Sequence, residues 1–164
     1  MSAIARAEPR PQDKAARYAE VAEEVAAVLD GEPNLTARMA TVSAMLADAF
    51  DPFFWTGFYV VDPDKPTELV VGPYQGTLGC LRIAFGRGVC GAAAATGEVQ
   101  IVPDVHAFPG HIACDSRTNS EIVLPVRDAD GRLIAVFDVD STEFSAFDET
   151  DAHWLQRILA AAFG

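Results

Sequence analysis

Three cysteines and three carboxylates are the residues of this chain whose types and spacing could do chemistry. Cys114 lies in a long loop, His106-Ala-Phe-Pro-Gly-His-Ile-Ala-Cys114-Asp-Ser-Arg-Thr-Asn-Ser-Glu121, and two strand-like runs follow it. The second run, Leu133-Ile-Ala-Val-Phe-Asp138-Val-Asp140, is apolar until it ends in two acids at spacing two. Side chains at that spacing share one face of a strand. Strands disfavour Asp, and acids buried beside Glu121 would be costly without a cationic partner. Glu121, Asp138 and Asp140 are therefore expected around one pocket with Cys114 above it. Such a site suits a thiol acting on a small cationic ligand; the weaker reading is that Asp138 and Asp140 merely cap a strand end.

Cys80, Cys90 and Cys114 are odd in number and ten and twenty-four residues apart. That argues against a structural disulfide framework and for redox or nucleophilic thiols. Residue chemistry alone leaves two candidate nucleophiles. Cys90 enters a helix after a glycine turn with Arg87 nearby, and a helix N-terminus plus a cation lowers a thiol pKa. Cys114 has the opposite neighbour, Asp115.

Two other constellations carry less. His106, His111 and Cys114 offer zinc-type ligands, but there is no Cys-x-x-Cys pair and the spacing supplies no fourth ligand, so no metal is expected. Gly86-x-Gly88-x-x-Gly91, with Asp104 downstream, matches a dinucleotide fingerprint. The stretch from Gly91 to Gly97 is too short for the crossover helix which that fold requires. Trp55 and Tyr59, four residues apart, either wall a pocket or pack in the core.

The elements that must position these groups are legible from periodicity. Apolar residues at helical spacing, Tyr18, Val21, Val25 and Val28, predict a helix over 13–29, stopped by Asp-Gly-Glu-Pro at 30–33. Asn34 is an N-cap for a second helix with a stripe of Leu35, Met39, Val42, Leu46 and Ala49. Strands are expected at 53–61, 68–74 and 81–85, a glycine turn and short Ala-rich helix at 86–97, and strands at 100–102, 122–126 and 133–140. Phe147-Asp148-Glu-Thr-Asp151 caps a terminal helix whose buried face carries Trp154, Leu155, Ile158, Leu159 and Ala162. Hairpin connections predict an α+β fold: a mainly antiparallel central sheet with helices on one face and a long active-site loop. Residues 1–12 read as a flexible N-terminal tail and 13–164 as a single domain.

The 164 residues are 50% hydrophobic and 22% charged, ordinary for one globular domain, and the formal net charge of -12 repels phosphate backbones and anionic lipid. Nucleic-acid and membrane roles are not expected. There is no apolar leader and no run of spanning length, so a cytoplasmic protein is expected.

The order of elements and several motifs resemble the GAF domain, and more narrowly the free methionine-(R)-sulfoxide reductase family. The motifs are Trp55-Thr-Gly-Phe-Tyr59, Gly72-Pro-Tyr-Gln-Gly76, Cys80, Gly86-Arg-Gly-Val-Cys90-Gly91, Asp104-Val-His106, Gly110-His-Ile-Ala-Cys114-Asp115, Asn119-Ser-Glu121-Ile-Val-Leu-Pro125 and Asp138-Val-Asp140-Ser141. The resemblance implies reduction of free L-methionine-(R)-sulfoxide with no metal or organic cofactor. Cys114 would be the nucleophile, Cys80 the resolving thiol and Cys90 a second one, with thioredoxin reducing the resulting disulfide. Glu121, Asp138 and Asp140 would hold the substrate ammonium, one of them donating a proton to the sulfoxide oxygen. Trp55 and Tyr59 would wall the pocket, and backbone N–H groups of loop 110–115 would hold the substrate carboxylate. A homodimer through the terminal helices is also implied. The alternative is a GAF-type ligand or thiol redox sensor without turnover, which the absence of an output domain in these residues makes the weaker expectation.

Overall fold

The computed structural model describes residues 14–112 and 114–164. The expected tail, 1–12, lies outside the described residues. The elements follow the predicted order: α1 (Lys14–Leu29), α2 (Leu35–Ala49), β1 (Trp55–Asp62), β2 (Lys65–Gln75), β3 (Arg82–Ala84), α3 (Gly88–Thr96), β4 (Gln100–Val102), a 3-10 turn (Val105–Ala107), β5 (Ser120–Arg127), β6 (Leu133–Ser141) and α4 (Glu149–Phe163). One six-stranded sheet, ordered β3-β2-β1-β6-β5-β4, pairs every neighbour antiparallel.

Strand alternation sorts this sheet into two faces with different tasks. Phe58, Phe137, Val139, Ile122 and Leu124 point toward α1, α2 and α4 and form the larger core with Tyr18, Met39, Leu46 and Leu155. The three long helices thus share one face, as the hairpin connections predict. Trp55, Tyr59, Val123 and Val136 point the other way, where the short α3, the loop 76–81 and the loop 103–119 cover them. That second face is left for chemistry.

Local signals account for most boundaries. The Asn34 side chain accepts from Ala37 N at 2.9 Å, and Asp148 and Asp151 form a capping box at the start of α4. Gly97, at φ 69°, ends α3 in the left-handed conformation. Buried Asp151 accepts from the Tyr18 hydroxyl and pairs with Lys14, tying α4 to α1. The helical stripes need two corrections. Val28 is 58% exposed, and Leu29, one turn from Val25 on the inner side, is buried in its place. Leu35, the first residue of α2, is 44% exposed.

β1 and β2 approach unusually closely. Gly57 pairs with Tyr74 but Tyr59 pairs with Val71, so β2 carries one extra residue around Gly72 and Pro73. A bulge tolerates a proline that a regular ladder would not. A Cβ on Gly57 would fall 2.2 Å from Tyr74 Cβ and 2.7 Å from its Cα. Gly57→Ala must push β2 aside, and a loss of about 3 kcal/mol in urea denaturation followed by circular dichroism is expected; an unchanged midpoint would refute the contact.

Candidate active site

Strand register assembles the site before any loop is considered. Across β1, β6 and β5, Trp55, Asp140 and Glu121 form one row, and Gly57, Asp138 and Val123 the next row on the same face. Glu121 is thus the second residue of β5, not the end of the loop. Helix α3 lays Cys90 over the acids. The Cys90 sulfur and carboxylate oxygens of Glu121 and Asp138 all lie within 4.8 Å of one another. These three side chains are buried, at 5%, 5% and 3% exposure.

An aromatic column forms the wall. The Trp55 ring stacks on Tyr59 at 5.4 Å and on Tyr74 at 4.9 Å. Its Nε1 donates to the Thr77 carbonyl at 2.9 Å. Gly79 fits against this column: a Cβ there would come within 2.9 Å of Trp55 Cζ2 and 3.1 Å of the Tyr59 hydroxyl. At the mouth, Cys80 and Cys114 are joined by a disulfide with their Cα atoms 5.5 Å apart. Cys114 is exposed and Cys80 half-buried. The pocket below them is closed further by His111 and Ile112.

Comparison with known proteins decides the family. The GAF domain model matches residues 36–162. The free methionine-R-sulfoxide reductase of Escherichia coli is 43% identical over 143 residues, covering 87% of this chain and 84% of that protein. GAF domain-containing protein A of Dictyostelium discoideum is 47% identical over 146 residues, covering 89% and 90%. The X-ray structure of the free methionine-R-sulfoxide reductase of Neisseria meningitidis, in complex with its substrate, superposes with a TM-score of 0.87 at 48% identity, covering 92% of this chain and 88% of that one. The chain belongs to the GAF-domain family of free methionine-R-sulfoxide reductases.

The electrostatics of this family member's pocket follow from its burial. Desolvation pushes the Glu121, Asp138 and Asp140 carboxyls well above the ordinary range. Each is raised further by a neighbouring acid: Glu121 by Asp138, Asp138 by Asp140, and Asp140 by Glu121. Asp138 and Asp140 each keep one buried oxygen, Oδ1, with no hydrogen-bond partner. Buried acceptors left unpaired are costly, so the site is incomplete until a donor enters.

The same burial reverses the expectation for Cys90. Desolvation, then the charges of Asp138, Glu121 and Asp140, raise its thiol well above the usual value. Together they outweigh the helix N-terminus and Arg87. Cys90 should therefore stay unmodified by iodoacetamide at neutral pH in the oxidised native protein and react on unfolding, as mass spectrometry would read. Rapid native labelling would contradict this burial.

The histidines separate. The His106 ring meets Asp104 at 2.8 Å on the surface, whereas His111 lines the pocket with Nδ1 unpartnered and its pKa lowered chiefly by burial. They do not converge with Cys114; among the described residues the metal-type ligands that come together are Cys90, Glu121 and Asp138.

Sequence reasoning placed Cys80, Cys90, Cys114, Glu121, Asp138, Asp140, Trp55 and Tyr59 at the site, and the fold brings all eight to one pocket and its mouth. It missed the third aromatic, Tyr74, and the contacts that Thr77 and Arg117, both outside the pocket lining, make with Asp115. The Gly72-Pro-Tyr-Gln-Gly76 motif was the available signal for Tyr74. Among the described residues, no helix is long and apolar enough to cross a membrane.

Proposed function

We propose that this chain reduces free L-methionine-(R)-sulfoxide to methionine through Cys114. The observation that carries this reading is a cluster of three acids, Glu121 and Asp138 buried and Asp140 half-buried, two with unpartnered oxygens, beneath a solvent-reachable cysteine pair. An amino acid's ammonium supplies the donors that Asp138 and Asp140 lack, with Glu121 beside them. Trp55 and Tyr59 offer a flat apolar wall for the S-methyl group, and backbone N–H groups of loop 110–115, of which residue 113 lies outside the described residues, would take the carboxylate. A peptide-bound sulfoxide has no free ammonium to offer and is too large for the enclosed pocket.

In the first half-reaction the Cys114 thiolate attacks the sulfoxide sulfur. One of the acids, protonated at neutral pH because burial raises its pKa, gives its proton to the oxygen. Methionine leaves and the oxygen remains on Cys114 as sulfenic acid. The Cys80 thiol then condenses with it, water departs and a disulfide forms. Cys90, deeper over the acids, serves as a second resolving thiol. Thioredoxin supplies two electrons and two protons to reopen the disulfide. The compartment is the cytoplasm, where such a reductant is kept reduced, and a homodimer forms through the terminal helices. Light scattering giving a 17.5 kDa particle would remove the dimer.

The test is NADPH oxidation coupled through thioredoxin reductase and thioredoxin, with the free R sulfoxide, the free S sulfoxide and a peptide-bound sulfoxide in separate cuvettes. Turnover of the free R form alone is expected. Silence with all three, from fully reduced protein, would leave a thiol redox sensor on the same scaffold.

A further inference from the structure

The disulfide joins loops 34 residues apart in sequence, and a second, non-covalent connection runs beside it. Thr77, three residues before Cys80, donates from Oγ1 to Asp115 Oδ2 at 2.8 Å, one residue after Cys114. Asp115 is itself fixed from the other side. Arg117 donates to it through Nε at 3.0 Å, Nη2 at 2.7 Å and its backbone N at 2.9 Å. The Arg117 guanidinium lies over the Phe54 ring, 4.9 Å from its centroid. Thr77 is held in turn by Trp55, whose indole donates to its carbonyl. The chain of contacts therefore starts and ends at neighbouring residues, Phe54 and Trp55, on the entry to β1, and it ties the Cys80 loop to the Cys114 loop without using either sulfur.

We propose that this Thr77–Asp115–Arg117 latch is a positioning device that keeps Cys80 within reach of Cys114 during the part of the cycle when no disulfide joins them. The inference rests on the reading of Cys114 as the oxidised sulfur and Cys80 as the resolving thiol. In that cycle the covalent link is absent from the moment the reductant opens it until the Cys114 sulfenic acid and the Cys80 thiol condense with loss of water. The rate of condensation depends on the effective concentration of one loop at the other. A hydrogen bond to an ionised carboxylate is among the stronger neutral-to-charged contacts. Asp115 stays ionised across the neutral range, because Arg117 first and Thr77 after it hold its carboxyl far below the ordinary value. None of these contacts uses a sulfur, so opening the disulfide removes none of them. Thr77 does not line the pocket, so the first half-reaction does not need its hydroxyl.

The test separates the two half-reactions. Thr77→Val keeps the side-chain shape and removes the donor. Reduced protein is mixed with one equivalent of the free R sulfoxide. Methionine release is followed by chromatography, and disulfide formation by free-thiol titration of quenched samples. Methionine release within about twofold of wild type, with disulfide formation about tenfold slower, is expected. The Cys114 sulfenic acid should then accumulate and be trapped by dimedone. Thr77→Ser, which restores the hydroxyl, should return the wild-type rate. Arg117→Gln, at an exposed side chain, should slow the same step in the same direction. Disulfide formation at the wild-type rate in Thr77→Val, or equal slowing of both steps, would overturn the latch. A wild-type protein that releases no methionine would overturn the proposed function and this role with it, a result read from the first step alone.

Discussion

Cys114→Ser is expected to abolish sulfoxide turnover, while Cys80→Ser should still release one methionine per chain. A serine hydroxyl is not ionised near neutrality and is a poor nucleophile toward sulfur, so the loss at Cys114 should exceed about a thousandfold. Without Cys80 the first half-reaction is intact but the sulfenic acid has lost its nearest thiol. The structure removes the objection that Asp115 would disfavour a thiolate at Cys114. That carboxylate is neutralised by the two-pronged contact from Arg117, whereas Cys90 faces three acids with no cation bonded among them. Counting methionine per chain in a single-turnover mixture distinguishes the two variants. A fully active Cys114→Ser would transfer the nucleophile's role elsewhere.

The second large effect is at Asp138, where function and stability should move in opposite directions. Asp138→Asn leaves a neutral amide where the proposed ammonium site offers a carboxylate, and the KM for the free sulfoxide should rise about a hundredfold or more. The empty protein, in contrast, should gain stability above neutral pH. The folded state holds protons on these acids that the unfolded chain releases above about pH 4. It therefore binds more protons than the unfolded state at higher pH, and stability is fully present below the unfolded pKa and is lost as pH rises through the raised folded values. Thermal melts at pH 5 and pH 8 read this directly. The wild type should lose more of its Tm between them than Asp138→Asn does, and substrate should reduce the deficit. A wild-type protein that gains stability relative to the variant on going to pH 8 would sink the argument.

Much of this was legible because it is local. Helix stripes, the Asn34 and Asp148 caps and the Asp-Val-Asp ending of β6 each depend on residues within a few positions of one another. The site was legible in part for the same reason: two acids at spacing two must share a face, and Glu121 opens the strand beside them. What local pattern does not carry is register. The row Trp55, Asp140, Glu121 follows from how three strands align, and the extra residue at Gly72 and Pro73 resets that alignment between β1 and β2. The setting of Cys90 was misjudged on this account. Its sequence neighbours are a helix start and an arginine, but its spatial neighbours are acids contributed some thirty to fifty positions later. Thr77 and Asp115 likewise meet only because two distant loops close over one pocket. Val28 differs for a simpler reason: two adjacent apolar residues at a helix end cannot both face inward, and periodicity alone does not choose between them.

The Tyr59–Trp55–Tyr74 column gives the protein a built-in optical gauge. Trp55 touches the pocket on one side, and its indole N–H is bonded to the loop that carries Cys80. The second indole, Trp154, lies on the far side of the sheet with Arg157 over its ring. With Trp154 replaced by Phe, the remaining fluorescence should follow the thiol–disulfide state and substrate entry in real time, without an added dye.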